Sequence, residues 1–294
     1  MTKTAFIAIV GRPNVGKSTL LNSILGEKVA IVSKKPQTTR NRITGIYTEG
    51  EAQYIFLDTP GIHNPRTKLG DFMMKTASDT IGGSTAVILV VEAREEVGDI
   101  EAKIIARIKA DKLPAILVIN KIDTVRPANI AKTIASYAAA HDFDAVIPMA
   151  AKSGKGVDIL LSECERYLYE SEWFFPDDII TDQPERQIAA EIIREKLLRT
   201  LDEEIPHGTA VTIEEWRETN KLVSIRAEIY CEKASHKGII IGKGGASIKR
   251  IGQNAREDIE NLLGTKVFLD LYVRVKENWR DSDFNIGNLG FKEE

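Results

Sequence analysis

Near the start of the chain, Gly11-Arg12-Pro13-Asn14-Val15-Gly16-Lys17-Ser18 has the spacing G-x-x-x-x-G-K-[ST], in which each residue type has a task on a phosphate chain. Glycines let backbone N–H groups curl around anionic oxygens, and a helix starting at the lysine adds its positive end. Lys17 reaches the β- and γ-phosphates, and the Ser18 hydroxyl ligates Mg²⁺, with Thr19 in the same turn. A glycine turn formed for packing alone would rarely carry all of this directly after a strand-like apolar run, residues 4–10.

The next β-rich run closes on Asp58-Thr59-Pro60-Gly61. Alone, this tetrapeptide is an ordinary turn. One strand after a phosphate loop, Asp58 is placed to hold Mg²⁺ through water and the Gly61 N–H to meet the γ-phosphate, a hydrogen bond that hydrolysis removes. Between the two motifs lies the polar loop Lys34-Lys35-Pro36-Gln37-Thr38-Thr39-Arg40. One of its threonines, Thr38 or Thr39, completes the Mg²⁺ shell when a triphosphate is bound; the sequence leaves the choice open. A later apolar run ends in Asn120-Lys121-Ile122-Asp123, at the edge where parallel sheets bind ligands. Guanine presents N1–H and a 2-amino group side by side, which one carboxylate, Asp123, accepts together. Adenine lacks that amino donor and would leave a buried acid unpaired. Asn120 ties this loop to the phosphate loop, and the Lys121 stem lies along the base. GTP and GDP with Mg²⁺ are the expected ligands, with Lys17 and Gly61 nearest the reacting phosphate.

The elements that position these residues show βαβ rhythm. Short apolar runs at 4–10, 54–57, 86–91, 115–119 and 145–148 alternate with longer stretches of mixed apolar and charged residues that read as helices. Continuous hydrophobicity at 86–91 and 115–119 predicts strands covered on both faces. An α/β domain with a mostly parallel sheet, helices on both faces, is expected over residues 1–170. The mixed aromatic, proline and acidic stretch that follows reads as a linker, 171–186, with Trp173, Phe174 and Phe175 packing at the joint. Over 187–294 the pattern predicts a smaller α+β domain: a helix at 187–201, strands at 210–216 and 222–231, a helix at 246–263 and a strand at 267–275.

Within that second domain, Ile239-Ile240-Ile241-Gly242-Lys243-Gly244-Gly245-Ala246-Ser247-Ile248-Lys249-Arg250-Ile251 holds G-x-x-G between an apolar helix-like run and an amphipathic helix. This is the K-homology (KH) pattern, in which glycines admit a nucleic-acid backbone and an apolar groove takes unpaired bases. From Lys233 to Arg250 there are five Lys or Arg and no Asp or Glu, a local basic patch. Lys237, Ile241, Gly242, Lys243, Gly244, Gly245, Lys249 and Arg250 are the expected RNA-contacting residues. Two strands before the G-x-x-G helices and one after match the type II order.

The four elements of the first half, in this order, resemble the Era and Der group of P-loop GTPases. Joined to a type II KH module, and with the ending Tyr272-Val273-Arg274-Val275-Lys276-Glu277-Asn278-Trp279-Arg280, nearly the whole chain resembles the Era family. The resemblance implies binding near the 3′ end of small-subunit ribosomal RNA and action on the pre-ribosomal small subunit. It also implies cytoplasmic location and peripheral association with the inner face of the cell membrane. Met149-Ala150-Ala151-Lys152 stands where relatives have Ser-Ala-Lys; the resemblance gives the Ala151 N–H the guanine oxygen, with Ala150 replacing a supporting serine. Ile62 stands where Ras-like enzymes have a water-orienting glutamine, so turnover should be slow. Ile62 either packs into the core or leaves the site dependent on a cation or partner. The resemblance also places K⁺ on Asn14, which makes Asn14 a catalytic candidate. His63, a tempting general base, is read as a loop histidine.

With 294 residues, 43% of them hydrophobic, the chain can bury two cores. A net charge of −3 excludes a wholly basic nucleic-acid coat. Cys164 and Cys231 match no zinc or redox spacing and read as core residues in a reducing compartment. The chain is expected to start inside the fold, without a signal peptide. Its longest apolar runs are about a third of the roughly 20 residues needed to span a bilayer. A metabolic P-loop enzyme would need acceptor-positioning groups that the sequence lacks. A passive RNA binder with structural GTP would not need the full switch set.

Overall fold

Every side chain of AVILVV in Ala86–Glu92 and of AILVIN in Ala115–Asn120 is buried, which requires helices on both faces of their sheet. The computed structural model describes residues 1–94 and 96–291 and divides into two units. The first comprises Met1–Ala30, Thr39–Pro65 and Met73–Asp182; the second comprises Ile31–Thr38, Arg66–Phe72 and the chain from Gln183.

In the first unit the order is β1 (Lys3–Val10), α1 (Lys17–Leu25), β2 (Ile43–Glu49), β3 (Ala52–Asp58), α2 (Lys68–Gly82, shared with the second unit), β4 (Ala86–Glu92), α3 (Asp99–Ala110), β5 (Ala115–Asn120), α4 (Pro127–Ala140), β6 (Ala145–Pro148), α5 (Val157–Cys164) and β7 (Tyr169–Glu170). The strands run β2-β3-β1-β4-β5-β6, parallel except for β2 and for β7, which pairs with the start of β1. Two apolar clusters lie on the two faces of this sheet. The register pairs Ile9 with Asp58 and Glu92 with Asn120, so the motif-bearing strand ends share one carboxyl edge. β2 is not expected from the sequence: its ITGIYTE pattern is broken by Gly45, and its partner is a hairpin neighbour.

The linker aromatics pack on strands of the first unit rather than at a joint. Trp173 Nε1 donates to the Glu51 carbonyl at 3.2 Å, and Phe174 meets the Phe6 ring edge-on at 4.9 Å. Gln53 holds the same stretch, accepting from the Phe174 and Phe175 N–H groups and donating to the Phe175 carbonyl.

The second unit contains α6 (Glu185–Thr200), which starts two residues before the expected position, then β8 (Ala210–Thr219), β9 (Leu222–Cys231), α7 (Ala234–Ile241), α8 (Ala246–Leu263), β10 (Val267–Val275) and α9 (Asp283–Asn288). The sheet order is β10-β9-β8, with β10 parallel to β9. Alternate β9 residues Ile225, Ala227 and Ile229 bury against Ile188 and Ile192 of α6 and Ile251, Ala255 and Ile259 of α8. Segment Ile31–Thr38 is held by α6: Val32 N–H donates to Glu195 Oε1 at 3.0 Å, and the Thr38 carbonyl accepts from Arg194. Both cysteines are fully buried, and burial pushes the Cys164 thiol up to about 12.

Candidate nucleotide site and nucleic-acid interface

Between β1 and α1 the chain turns through Gly11, Asn14 and Gly16, all at positive φ. A Cβ on Gly16 would stand 2.2 Å from Asn120 Nδ2, so glycine there is set by the approach of Asn120 as well as by φ. Asn120 Nδ2 donates to the Val15 carbonyl at 2.9 Å, and Lys121 Nζ donates to the Asn14 carbonyl at 2.6 Å while pairing with Glu92. Lys17 Nζ donates to the carbonyls of Gly11 at 3.4 Å and Arg12 at 3.2 Å. Pro13 and Thr19 are half-buried, and Val15 is buried.

Ser18 Oγ donates to Asp58 Oδ2 at 2.5 Å and lies 2.8 Å from Thr39 Oγ1. The Thr38 hydroxyl instead donates to the Lys35 carbonyl at 2.8 Å. Thr39, not Thr38, therefore joins the cluster. Asp58 is fully buried, and its Oδ1 has no hydrogen-bond partner. A partnerless carboxylate oxygen beside two hydroxyls is the donor chemistry of a hard divalent cation, and these residues fit Mg²⁺. Burial pushes the Asp58 carboxyl up to about 6, against the opposing pull of Lys17 and the two hydroxyls. The same burial pulls the Lys17 ammonium down, against the attraction of Asp58. Both groups gain from a ligand that brings opposite charge.

Thr59 Oγ1 donates to the Ile9 carbonyl at 2.9 Å, and the Ile62 N–H donates to the Gly11 carbonyl at 3.1 Å, joining the D-T-P-G turn to the phosphate loop. The Ile62 side chain packs on the core cluster of Val10, Leu89 and Val91, the first of its two sequence readings. His63 Nδ1 lies 2.8 Å from the Gly61 carbonyl, within its own loop.

At the base-reading end the Ala151 N–H, which the resemblance gives to the guanine oxygen, donates to Asn120 Oδ1 at 2.9 Å. Asp123 is exposed on a short 3₁₀ turn, Ile122–Thr124. The support lost at Ala150 is replaced, since Ser153 Oγ donates to the Ala150 carbonyl at 3.1 Å. Lys152 sits in the first turn of the 3₁₀ helix Ala151–Ser153.

In the second unit Gly242 has φ 75° and ψ 171°, and a Cβ there would fall 2.9 Å from Ser247 N. Gly245 caps α8 in the left-handed region. Lys237, Lys243, Gly244, Lys249 and Arg250 are exposed around this turn, and Ile241 packs half-buried on the core. Beside it a cleft of about 460 Å³ runs between α8 and the edge strand β10, lined by Ile248, Lys249, Gly252, Gln253, Arg256, Leu269 and Leu271. The sequence reading missed Gln253, Arg256 and the two leucines. The spacing 249, 253, 256 along α8 carried the signal, and only the β10 edge shows where it faces.

Residues 6–121 match the family described as 50S ribosome-binding GTPase, and residues 204–280 match the KH domain family. The chain is 50% identical to GTPase Era of Ruminiclostridium cellulolyticum, covering 99% of this chain and 98% of that protein. It is 49% identical to GTPase Era of Clostridioides difficile, covering 100% of both. A crystal structure of Era in complex with MgGDPNP and nucleotides 1506–1542 of 16S ribosomal RNA superposes with a TM-score of 0.96 at 39% identity, covering 100% of both chains. A variant of Aquifex aeolicus Era bound to GDP·AlF₄⁻ gives 0.95 at 38% identity, covering 99% of this chain and 100% of that one. Among the described residues, no helix is long and apolar enough to cross a membrane.

Proposed function

Because this chain belongs to the Era family of GTPases, and so binds and hydrolyses GTP with Mg²⁺, we propose that its nucleotide cycle governs binding to the 3′ region of small-subunit ribosomal RNA during assembly of that subunit. The observation that carries this reading is the G-x-x-G turn, where Lys243 and Gly244 stand exposed beside the α8–β10 cleft. It belongs to a chain that aligns end to end with an Era protein bound to that RNA. We assign nucleotide chemistry to residues 1–170, a linker to 171–186 and RNA binding to 187–294.

The residues divide the chemistry as follows. Backbone N–H groups of residues 14–18 and Lys17 offset phosphate charge, and Lys17 serves the charge that develops in transfer. Ser18, Thr39 and Asp58 hold Mg²⁺, which supplies positive charge to the β- and γ-phosphate oxygens. The Gly61 N–H meets the γ-phosphate. Asp123 takes the N1–H and 2-amino donors of guanine. The guanine oxygen is met by the first-turn N–H groups of Ala151 and its neighbour Lys152, because first-turn amides lack intrahelical acceptors. With Ile62 packed on the core, no side chain at that position orients water. Turnover is slow, and Asn14 is the residue that would hold K⁺, whose positive charge would then raise it. Cytoplasmic location with peripheral contact at the inner face of the membrane belongs to the same reading and is checked by cell fractionation.

The test replaces Lys243 and Gly244 with aspartates and titrates the folded variant with labelled RNA and labelled GDP. RNA affinity should fall strongly, because repulsion replaces attraction where phosphates pass, and GDP affinity should stay the same. Retained RNA affinity would move the RNA site elsewhere.

A further inference from the structure

Arg12, the second residue of the phosphate loop, ion-pairs through Nε with Oε1 of Glu101 in the first turn of α3. Glu101 belongs to none of the motifs, yet it is 2% exposed, and its Oε2 has no hydrogen-bond partner. A buried carboxylate is costly unless a charge answers it, and Arg12 is the cation that answers this one. The Arg12 carbonyl in turn accepts from Lys17 Nζ. Glu101 is thus connected through Arg12 to the lysine that meets the phosphates. Two of the other holds on the loop, Asn120 on Val15 and Lys121 on Asn14, act on its second half; on the first half the Arg12 side chain adds to the Ile62 N–H, which donates to the Gly11 carbonyl.

We propose that Glu101 is a positioning residue for nucleotide binding, fixing the first half of the phosphate loop through Arg12. A loop already held in its binding shape does not have to be ordered by the ligand. Without Glu101 the N–H groups of the loop lose that preorganisation, and their hold on ground-state and transition-state phosphates weakens equally. Such a change raises KM and leaves kcat nearly unchanged. This inference rests on Gly11–Ser18 being the phosphate loop.

The simpler alternative is that Glu101 only stabilises α3 as an acid in its first turn. Glu101→Asp separates the two. It keeps a carboxylate at the helix start but withdraws it from Arg12 by one methylene. In the full chain, Glu101→Asp and Glu101→Gln should each raise the Kd for a fluorescent GDP and the KM for GTP about tenfold. Their kcat should stay within about twofold. An Asp variant that binds GDP like the parent, or variants that lose melting temperature with Kd and KM unchanged, would overturn the proposal. If the Gln variant does not fold, the Asp variant decides. A parent chain unable to bind GDP would instead overturn the phosphate-loop assignment itself.

Discussion

Asn120→Ala tests whether the nucleotide site is braced before any ligand arrives. The Asn120 side chain is 3% exposed and makes two bonds of 2.9 Å, to the Val15 carbonyl and from the Ala151 N–H. Alanine leaves both backbone groups facing a gap. An unsatisfied buried polar group costs about 1–3 kcal/mol, and half-buried Gly16 alongside admits some water, so about 3 kcal/mol for the pair is a fair sum. For a unit of this size each kcal/mol moves the melting temperature by about 2–4 °C. The ligand-free transition of the first unit should therefore fall by about 6–12 °C, followed by calorimetry and identified as the transition that GDP shifts. The GDP-induced shift, about 2.7 kcal/mol at a hundredfold excess over Kd, should also shrink, because Asn120 ties the phosphate loop at Val15 to the turn at Ala151. A ligand-free transition within about 2 °C of the parent would refute the bracing argument.

Other substitutions isolate single roles. Asp123→Asn should leave the ligand-free melt unchanged, since Asp123 is exposed, and should shift preference toward xanthosine triphosphate in a competition assay, because its amide donates to the 2-oxo group. Thr39→Ala should raise the Mg²⁺ concentration needed for half-maximal hydrolysis by about 10- to 100-fold, and Thr38→Ala should leave it nearly unchanged; equal effects would reject the Ser18–Thr39–Asp58 cluster. Hydrolysis in K⁺ should outpace that in Na⁺, with the difference abolished in Asn14→Ala; equal parental rates would remove the cation from Asn14.

Legibility in the sequence followed the chemistry. Phosphate, Mg²⁺ and guanine each demand particular residue types at fixed spacing, so residues 11–18, 58–61 and 120–123 can be read without coordinates. The choice between Thr38 and Thr39 cannot, because the two are identical in type and adjacent. It is made by hydrogen bonds, one to Ser18 and one to the Lys35 carbonyl. The bond from the Ala151 amide to Asn120 is likewise invisible in the sequence, because the two residues lie 31 positions apart. Glu101 leaves no trace at all. In a chain with 43 acidic and 40 basic residues, nothing short of three dimensions pairs it with Arg12. β2 escapes detection because a glycine and threonines mask a strand defined by its partner, β3.

The placing of β1 bears on how the chain is made. Among the strands of its sheet β1 is made first, yet it is an inner one, flanked by β3 and β4 and closed at Lys3 and Thr4 by β7. Synthesis proceeds at about 5–20 residues per second. The wholly apolar run Ala5–Val10 therefore waits roughly 4–16 s for the last of its partners, residues 86–89. Throughout that interval its unpaired edge is a template for wrong pairing. GTP cannot relieve the exposure early, because the bracing amide of Ala151 emerges near the end of the unit. A chain stalled before β4 has emerged carries the whole phosphate loop yet offers its surroundings a bare edge of β1, which makes it a client for chaperones before it is a receptor for nucleotide.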